Sequence, residues 1–237
     1  MAKANSTWKV LPHEPLMKLA DNLWYVRGSL EGMPLKRNMV IARRGDGGLV
    51  IHNPIAVDDA TMAAIEGWGP VAFILVPNGY HRLDSAVFKG RYPAAKVLCP
   101  RGARAKVAEV VAVDGTYEDF PADEAISLEN LDGLGDAEGA LVVRSSDGAT
   151  IVVTDAIFDV PHQTGIAGFI LRHVTASTGG PRVSRILKLF VLKDKAAFRA
   201  HLERLAATPG LRRLIVAHNG LVEGDGAAAI RAAAATI

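Results

Sequence analysis

Short apolar runs of β type recur along the chain, separated by segments of helix length, and this alternation limits the fold more than any other feature. Val71–Val76 is apolar throughout, as expected of a strand buried on both faces. Leu23–Val26, Asn38–Ala42 and Leu49–Ile51 read as further strands, with Gly45, Gly47 and Gly48 turning between the last two. No helix-length segment separates these three, so they suit a meander. After Pro54, Asp58 or Asp59 caps a helix to about Glu66, with Met62 and Ile65 on one face. A helix from about Asp84 must end before Pro93. Lys96–Cys99 reads as a strand and Ala103–Val111 as a helix.

The second half loosely repeats that order. Ala140–Val143 and Thr150–Val153 form a hairpin turning at Asp147-Gly148. An irregular stretch runs from Ala156 to about Pro181, and loops of that length often serve as lids or binding loops. Arg182–Val191 and Asp194–Ala206 read as helices, the second capped by Asp194 and striped by Phe198, Leu202 and Leu205. Leu214–Ala217 is a last buried strand and Ala227–Ala235 a small-residue terminal helix. Nothing resembles a linker or a fixed-period repeat, so residues 1–237 are expected to form a single domain.

Composition narrows the class. With 49% hydrophobic residues and a formal charge of +2, the chain is too apolar and too balanced to be disordered. That charge gives no reason to expect a nucleic acid or an anionic membrane as partner. Arg182, Arg185 and Lys188 make one basic helical face, but no aromatics interleave with them, so they read as a solvated surface. The single cysteine, Cys99, excludes a disulfide framework and reads as core. Met1–Val10 lacks the apolar centre of a signal peptide, and no uncharged apolar run reaches the roughly 18–20 residues that span a bilayer. The expectation is a soluble cytoplasmic protein.

The chemistry sits where the strands end. Leu49–Ile51 runs into His52-Asn53-Pro54, and Val71–Val76 into Pro77-Asn78-Gly79-Tyr80-His81-Arg82-Leu83-Asp84. Ile151–Val153 runs into Thr154-Asp155, and Leu214–Ala217 into His218-Asn219-Gly220. In α/β sheets, ligands gather at the carboxyl ends of strands. Imidazoles and carboxylates in a chain with one cysteine suit a cation such as zinc, manganese or iron. A plainer reading stands beside this one: a strand-end histidine caps a turn, and Asp155 bonds a neighbouring loop.

These residues carry a resemblance. The order of elements resembles the metallo-β-lactamase superfamily, which implies an αββα sandwich of two mixed β-sheets flanked by helices. In that superfamily an early strand ends in an Ile-Asp-Thr-Gly-like turn and a later one enters His-x-His-x-Asp-His. Two more end in Gly-Asp and Gly-His-Gly. The corresponding stretches here are Ile51-His52-Asn53-Pro54, Asn78 to Asp84, Thr154-Asp155 and His218-Asn219-Gly220. A closer resemblance is to a branch of proteins of unknown function with His-Ser-Pro and Pro-Asn-x-x-His-His-Leu segments.

The four-ligand cluster is not intact. One extra residue places His81 at its second histidine and Asp84 at its last ligand position, while Asp155 and His218 match without adjustment. The middle histidine, expected between about Glu124 and Ala140, has no counterpart. Arg82 replaces the second histidine of the closer branch, setting a permanent cation beside any metal.

The resemblance therefore implies a hydrolase with at most a mononuclear site, holding one divalent metal (zinc, manganese or iron) or none. Its ligands are His81, Asp84, Asp155 and His218, with His81 also a candidate general base and Arg82 an anion-binding group. His52, Asn78, Tyr80 and His162 are expected to line the pocket of a small-molecule substrate. The alternative is a metal-free binding or scaffolding protein in which the same residues form a polar cluster. Ile166, Phe169, Ile170 and Leu171 are free to cover the site, enter the core or form a homodimer.

Overall fold

Three apolar layers organise this chain, and strand alternation decides which side chain joins which. The computed structural model describes residues 4–237, so Met1–Lys3 of the N-terminal stretch lie outside the described residues. The first half contributes β1 (Met17–Ala20), β2 (Leu23–Leu30), β3 (Met33–Arg43), β4 (Leu49–His52), α1 (Asp59–Trp68) and β5 (Val71–Leu75). It continues with α2 (Ser85–Arg91), β6 (Lys96–Cys99), α3 (Arg104–Ala108) and β7 (Gly115–Thr116). These strands form a seven-stranded sheet in sequence order, antiparallel from β1 to β4 and parallel from β4 to β7.

The second half contributes β8 (Ile126–Asn130), β9 (Gly139–Ser145), β10 (Gly148–Val152), α4 (Gly165–Phe169), α5 (Arg185–Phe190), α6 (Lys195–Ala206), β11 (Leu211–Ile215), β12 (Leu221–Glu223) and α7 (Gly226–Ala235). Its five strands lie in the order β12-β11-β10-β9-β8, and only β10 and β11 run parallel.

Successive side chains on a strand point to opposite faces. Tyr25, Val40, Val50 and Leu75 therefore meet Leu141, Val143, Val152 and Ile215 between the two sheets. Their neighbours Trp24, Val26, Ile51 and Ile74 face the other way, against Met62 and Ile65 of α1, Phe88 of α2 and Val107 of α3. On the second sheet Ala140, Val142 and Ile151 pack outward against Phe198 and Leu202 of α6 and Ile230 of α7. Helices, sheet, sheet, helices is the αββα order that the resemblance implied.

Local chemistry places the ends. Asp58 caps α1 by accepting from the Thr61 N–H at 2.7 Å, and Asp194 caps α6 by accepting from Ala197 at 2.9 Å. Each such cap contributes about 1 kcal/mol. Arg182 precedes α5, which starts after the cap residue Ser184. The stretch after Ala156 is more ordered than its composition predicts: α4 runs directly into a π-helical turn, Ile170–Val174. No helix among the described residues is long and apolar enough to cross a membrane.

The carboxyl ends of β4, β5, β10 and β11 meet at one rim, and β3 laces the two sheets together there. Asn38 of β3 donates its backbone N–H to Ala217 O at 2.9 Å and its side-chain amide to Val216 O at 2.7 Å. Its own carbonyl accepts from Asn53 Nδ2 at 2.8 Å. Asn53 and Asn219 both adopt left-handed backbone, with φ of 54° and 62°. Outside glycine, asparagine tolerates that region best. In both cases the turn follows a histidine at a strand end.

A candidate metal centre at the shared rim

His81, Asp155 and His218 converge although three separate loops carry them. One ligand atom from each lies within 4.8 Å of the others. His81 Nε2 is 3.1 Å and His218 Nε2 is 3.6 Å from Asp155 Oδ1, and the two rings are 5.1 Å apart at their centroids. The loops after β5, β10 and β11 deliver them, so the two sheets supply the site jointly.

Each imidazole is held by its far nitrogen. His218 Nδ1 lies 3.0 Å from the backbone carbonyl of Lys36, and His81 Nδ1 lies 3.2 Å from Asn53 Oδ1. Asn53 donates its amide nitrogen to Asn38, which leaves its oxygen for His81. Both Nδ1 atoms therefore face acceptors and carry hydrogen, while both Nε2 atoms face one carboxylate oxygen. A neutral imidazole donates from only one nitrogen. His81 has an acceptor within hydrogen-bond distance of each ring nitrogen, so positive charge between the rings and the Asp155 carboxylate, such as a cation, suits the cluster.

The titration directions agree. Burial opposes charge on Asp155, but His81 and His218 outweigh it and hold the carboxyl well below its ordinary value. Burial likewise opposes charge on His218, yet the hydrogen bond and charge of Asp155 lift its pKa above that of a free histidine.

Glu138 is the residue that sequence reasoning missed. It sits just before β9, bridged to Asn78, with Oε1 accepting from the N–H groups of Thr154 at 3.0 Å and Ala156 at 2.7 Å. Burial and the nearby Asp155 charge push its pKa up to about 8. Asn78 joins the two carboxylates. Its Oδ1 accepts from the N–H groups of Tyr80 and His81, which turns Nδ2 toward Glu138 at 3.2 Å and Asp155 at 3.0 Å. The available signal was an acid placed two residues before a run, Ala140–Val143, that reads as buried.

The other expected residues are placed differently. Asp84 does not join the trio: it is buried against Arg37 Nη2 at 2.7 Å, with Asn5 and the Ala56 N–H as further partners. Arg82 is turned toward α3, where it binds the Lys106 carbonyl and Glu109. His52 lies beneath the site with a buried, unpartnered Nε2, and burial plus the His81 charge lower its pKa to about 3. His162 bonds the Thr178 hydroxyl at 3.0 Å. Asn78 and the exposed Tyr80 do line a cavity of about 570 Å³, whose floor includes Asp155 and Glu138 and whose walls include Leu134, Phe158, Leu171 and Phe190.

No protein-family model matches the chain, and no curated protein matches it. Solved structures do. A metallo-β-lactamase from Hirschia baltica is 14% identical, with 93% of this chain and 97% of that one covered at a TM-score of 0.60. One from Erythrobacter litoralis is 14% identical, covering 94% and 96% at 0.62. The metallo-β-lactamase FIM-1 from Pseudomonas aeruginosa, in a mono-zinc form, is 11% identical, covering 96% and 96% at 0.61. The chain therefore has the metallo-β-lactamase fold.

A divalent cation fits the residues present. Two imidazoles and a carboxylate are borderline-metal donors. The bonds from the Lys36 carbonyl and Asn53 to the far ring nitrogens, and from Asn78 to Asp155, are the outer contacts such ligands ordinarily have.

Proposed function

We propose that this protein is a metal-dependent hydrolase of a small molecule, with one divalent ion held by His81, Asp155 and His218. The observation that carries this reading is that both imidazoles present Nε2 to one carboxylate while their Nδ1 atoms are committed elsewhere. One divalent cation supplies the missing charge without requiring two imidazolium ions side by side. Three protein ligands leave coordination positions open, as in catalytic rather than structural sites.

Bound there, such an ion supplies Lewis acidity and lowers the pKa of water. The chain's own groups do the rest. Asn78 fixes the Asp155 carboxylate, and the Lys36 carbonyl fixes the His218 tautomer. Glu138 lines the same cavity as Asp155, and in the metal-free chain burial and the Asp155 charge push its pKa up to about 8. That makes it a candidate acid toward a leaving group. Leu134, Phe158, Leu171 and Phe190 exclude water around an apolar substrate body.

One observation favours a metal-free protein instead: His81 Nε2 is already within hydrogen-bond distance of Asp155. A protonated pair would satisfy that contact. Chelator-stripped protein, reloaded with zinc, manganese or iron, is to be assayed against esters, thioesters, lactones, lactams and phosphodiesters. Turnover that returns with metal and is lost in Asp155→Ala supports the hydrolase. No turnover with any metal, together with unchanged thermal stability on loading, supports the scaffold.

A further inference from the structure

Seven of the eleven exposed large apolar side chains among the described residues lie between 166 and 190: Ile166, Phe169, Ile170, Val174, Ile186, Leu189 and Phe190. Large apolar side chains exposed singly are ordinary in a soluble protein, but their concentration in one segment marks an interaction surface. The two helical pieces that carry it are joined. Arg185 donates its backbone N–H to Thr175 O at 2.8 Å and its guanidinium to the His173 carbonyl at 2.6 Å.

The same segment is one-sided in charge. From Val160 to Lys193 there are five Lys or Arg residues (Arg172, Arg182, Arg185, Lys188, Lys193) and no Asp or Glu. Among the described residues, no carboxylate lies within salt-bridge distance of any of the five. The overall charge of +2 hides this, because acids elsewhere cancel it.

We infer that the 160–193 segment docks on an anionic lipid surface, its apolar side chains entering the headgroup region while its cations meet lipid phosphates. Exposed apolar groups with flanking Lys and Arg are what an interfacial helix needs, and neither component suffices alone. A second copy of this chain is a poorer occupant. A two-fold contact through this patch places five cations against five with no acid to pair them. Nucleic acid would use the cations but leave Ile166, Ile170, Val174 and Leu189 against phosphate. Leu171, Thr175, Ile186 and Phe190 also line the cavity, so docking brings its mouth to the lipid.

Sedimentation of the full chain with phosphatidylcholine vesicles, with and without phosphatidylglycerol, tests this without metal or turnover, so it stands or falls apart from the hydrolase reading. Binding is expected only to the anionic vesicles and is expected to fall at high salt. Phe169→Ser with Leu189→Ser, or Arg172→Glu with Arg185→Glu, is expected to weaken it about tenfold or more. All four side chains are exposed, so Phe169→Ser with Leu189→Ser should melt as the parent does, while Arg172→Glu with Arg185→Glu also loses the Arg185–His173 contact and is read only if its melt shows it folded. Absence of binding to anionic vesicles, or binding that neither double variant weakens, overturns the inference. So does a solution dimer that ignores both vesicles and is dissociated by Phe169→Ser with Leu189→Ser.

Discussion

Asn78 and Glu138, 60 residues apart, are joined by an amide-to-carboxylate hydrogen bond of 3.2 Å on the floor of the cavity. Through the same nitrogen Asn78 also holds Asp155, so one amide spaces two acids at opposite ends of the carboxylate range: burial and the Asp155 charge raise Glu138, while His81 and His218 overcome burial to lower Asp155. Glu138 is kept neutral and Asp155 charged.

A pH dependence follows. Glu138 has a pKa of about 8 in the fold against an ordinary value of 4.5. Between those values the folded chain holds a proton that the unfolded chain has released. Its contribution to stability is therefore complete below about pH 4.5 and lost as pH rises through 8, with a slope of at most about 1.4 kcal/mol per unit. Urea unfolding of the metal-free protein across that range is expected to show at least this fall, to which the raised pKa of His218 adds above about pH 6.5, and Glu138→Gln is expected to reduce the slope. An unchanged slope in Glu138→Gln would place the titrating group elsewhere.

The buried pair Arg37–Asp84 is expected to act on stability and not on metal. Asp84→Leu strands a buried guanidinium and should cost about 3–5 kcal/mol, whereas Asp84→Leu with Arg37→Met should cost less than the single change. Zinc stoichiometry should be the same in the double variant as in the parent. Loss of zinc from a folded double variant would return Asp84 to the ligand set.

Asn219 combines a left-handed backbone with a 2.7 Å hydrogen bond from the Lys36 N–H to its Oδ1. Asn219→Gly loses only the bond, while Asn219→Ala loses the bond and adds backbone strain of about 1 kcal/mol. Thermal melts should rank asparagine above glycine above alanine. Alanine equal to glycine would show that the turn relaxes.

Much of the fold was readable because alternation and apolar runs are local signals. Lys96–Cys99 is the same strand in sequence and structure, the cap Asp194 sits where the pattern placed it, and of the two candidates Asp58 and Asp59 it is Asp58 that caps. The strands that went unread, β1, β7, β8 and β12, are short or carry polar side chains at a sheet margin, where pairing rather than composition defines a strand.

The site was readable in outline only. Strand-end position drew attention to His81, Asp155 and His218, but Asp84, three residues past His81 and immediately before α2, faces Arg37 instead. Nothing local distinguishes those two outcomes. Glu138 stayed hidden because its meaning comes from Thr154, Ala156 and Asn78, all distant along the chain.

Calorimetric titration of zinc into chelator-stripped protein addresses the central claim most directly. One ion per chain is expected, with His81→Ala, Asp155→Ala and His218→Ala each weakening it by more than the 10–100-fold typical of an outer contact such as Asn78. If no zinc is taken up, or uptake is indifferent to all three substitutions, the trio is a hydrogen-bonded cluster and not a metal centre.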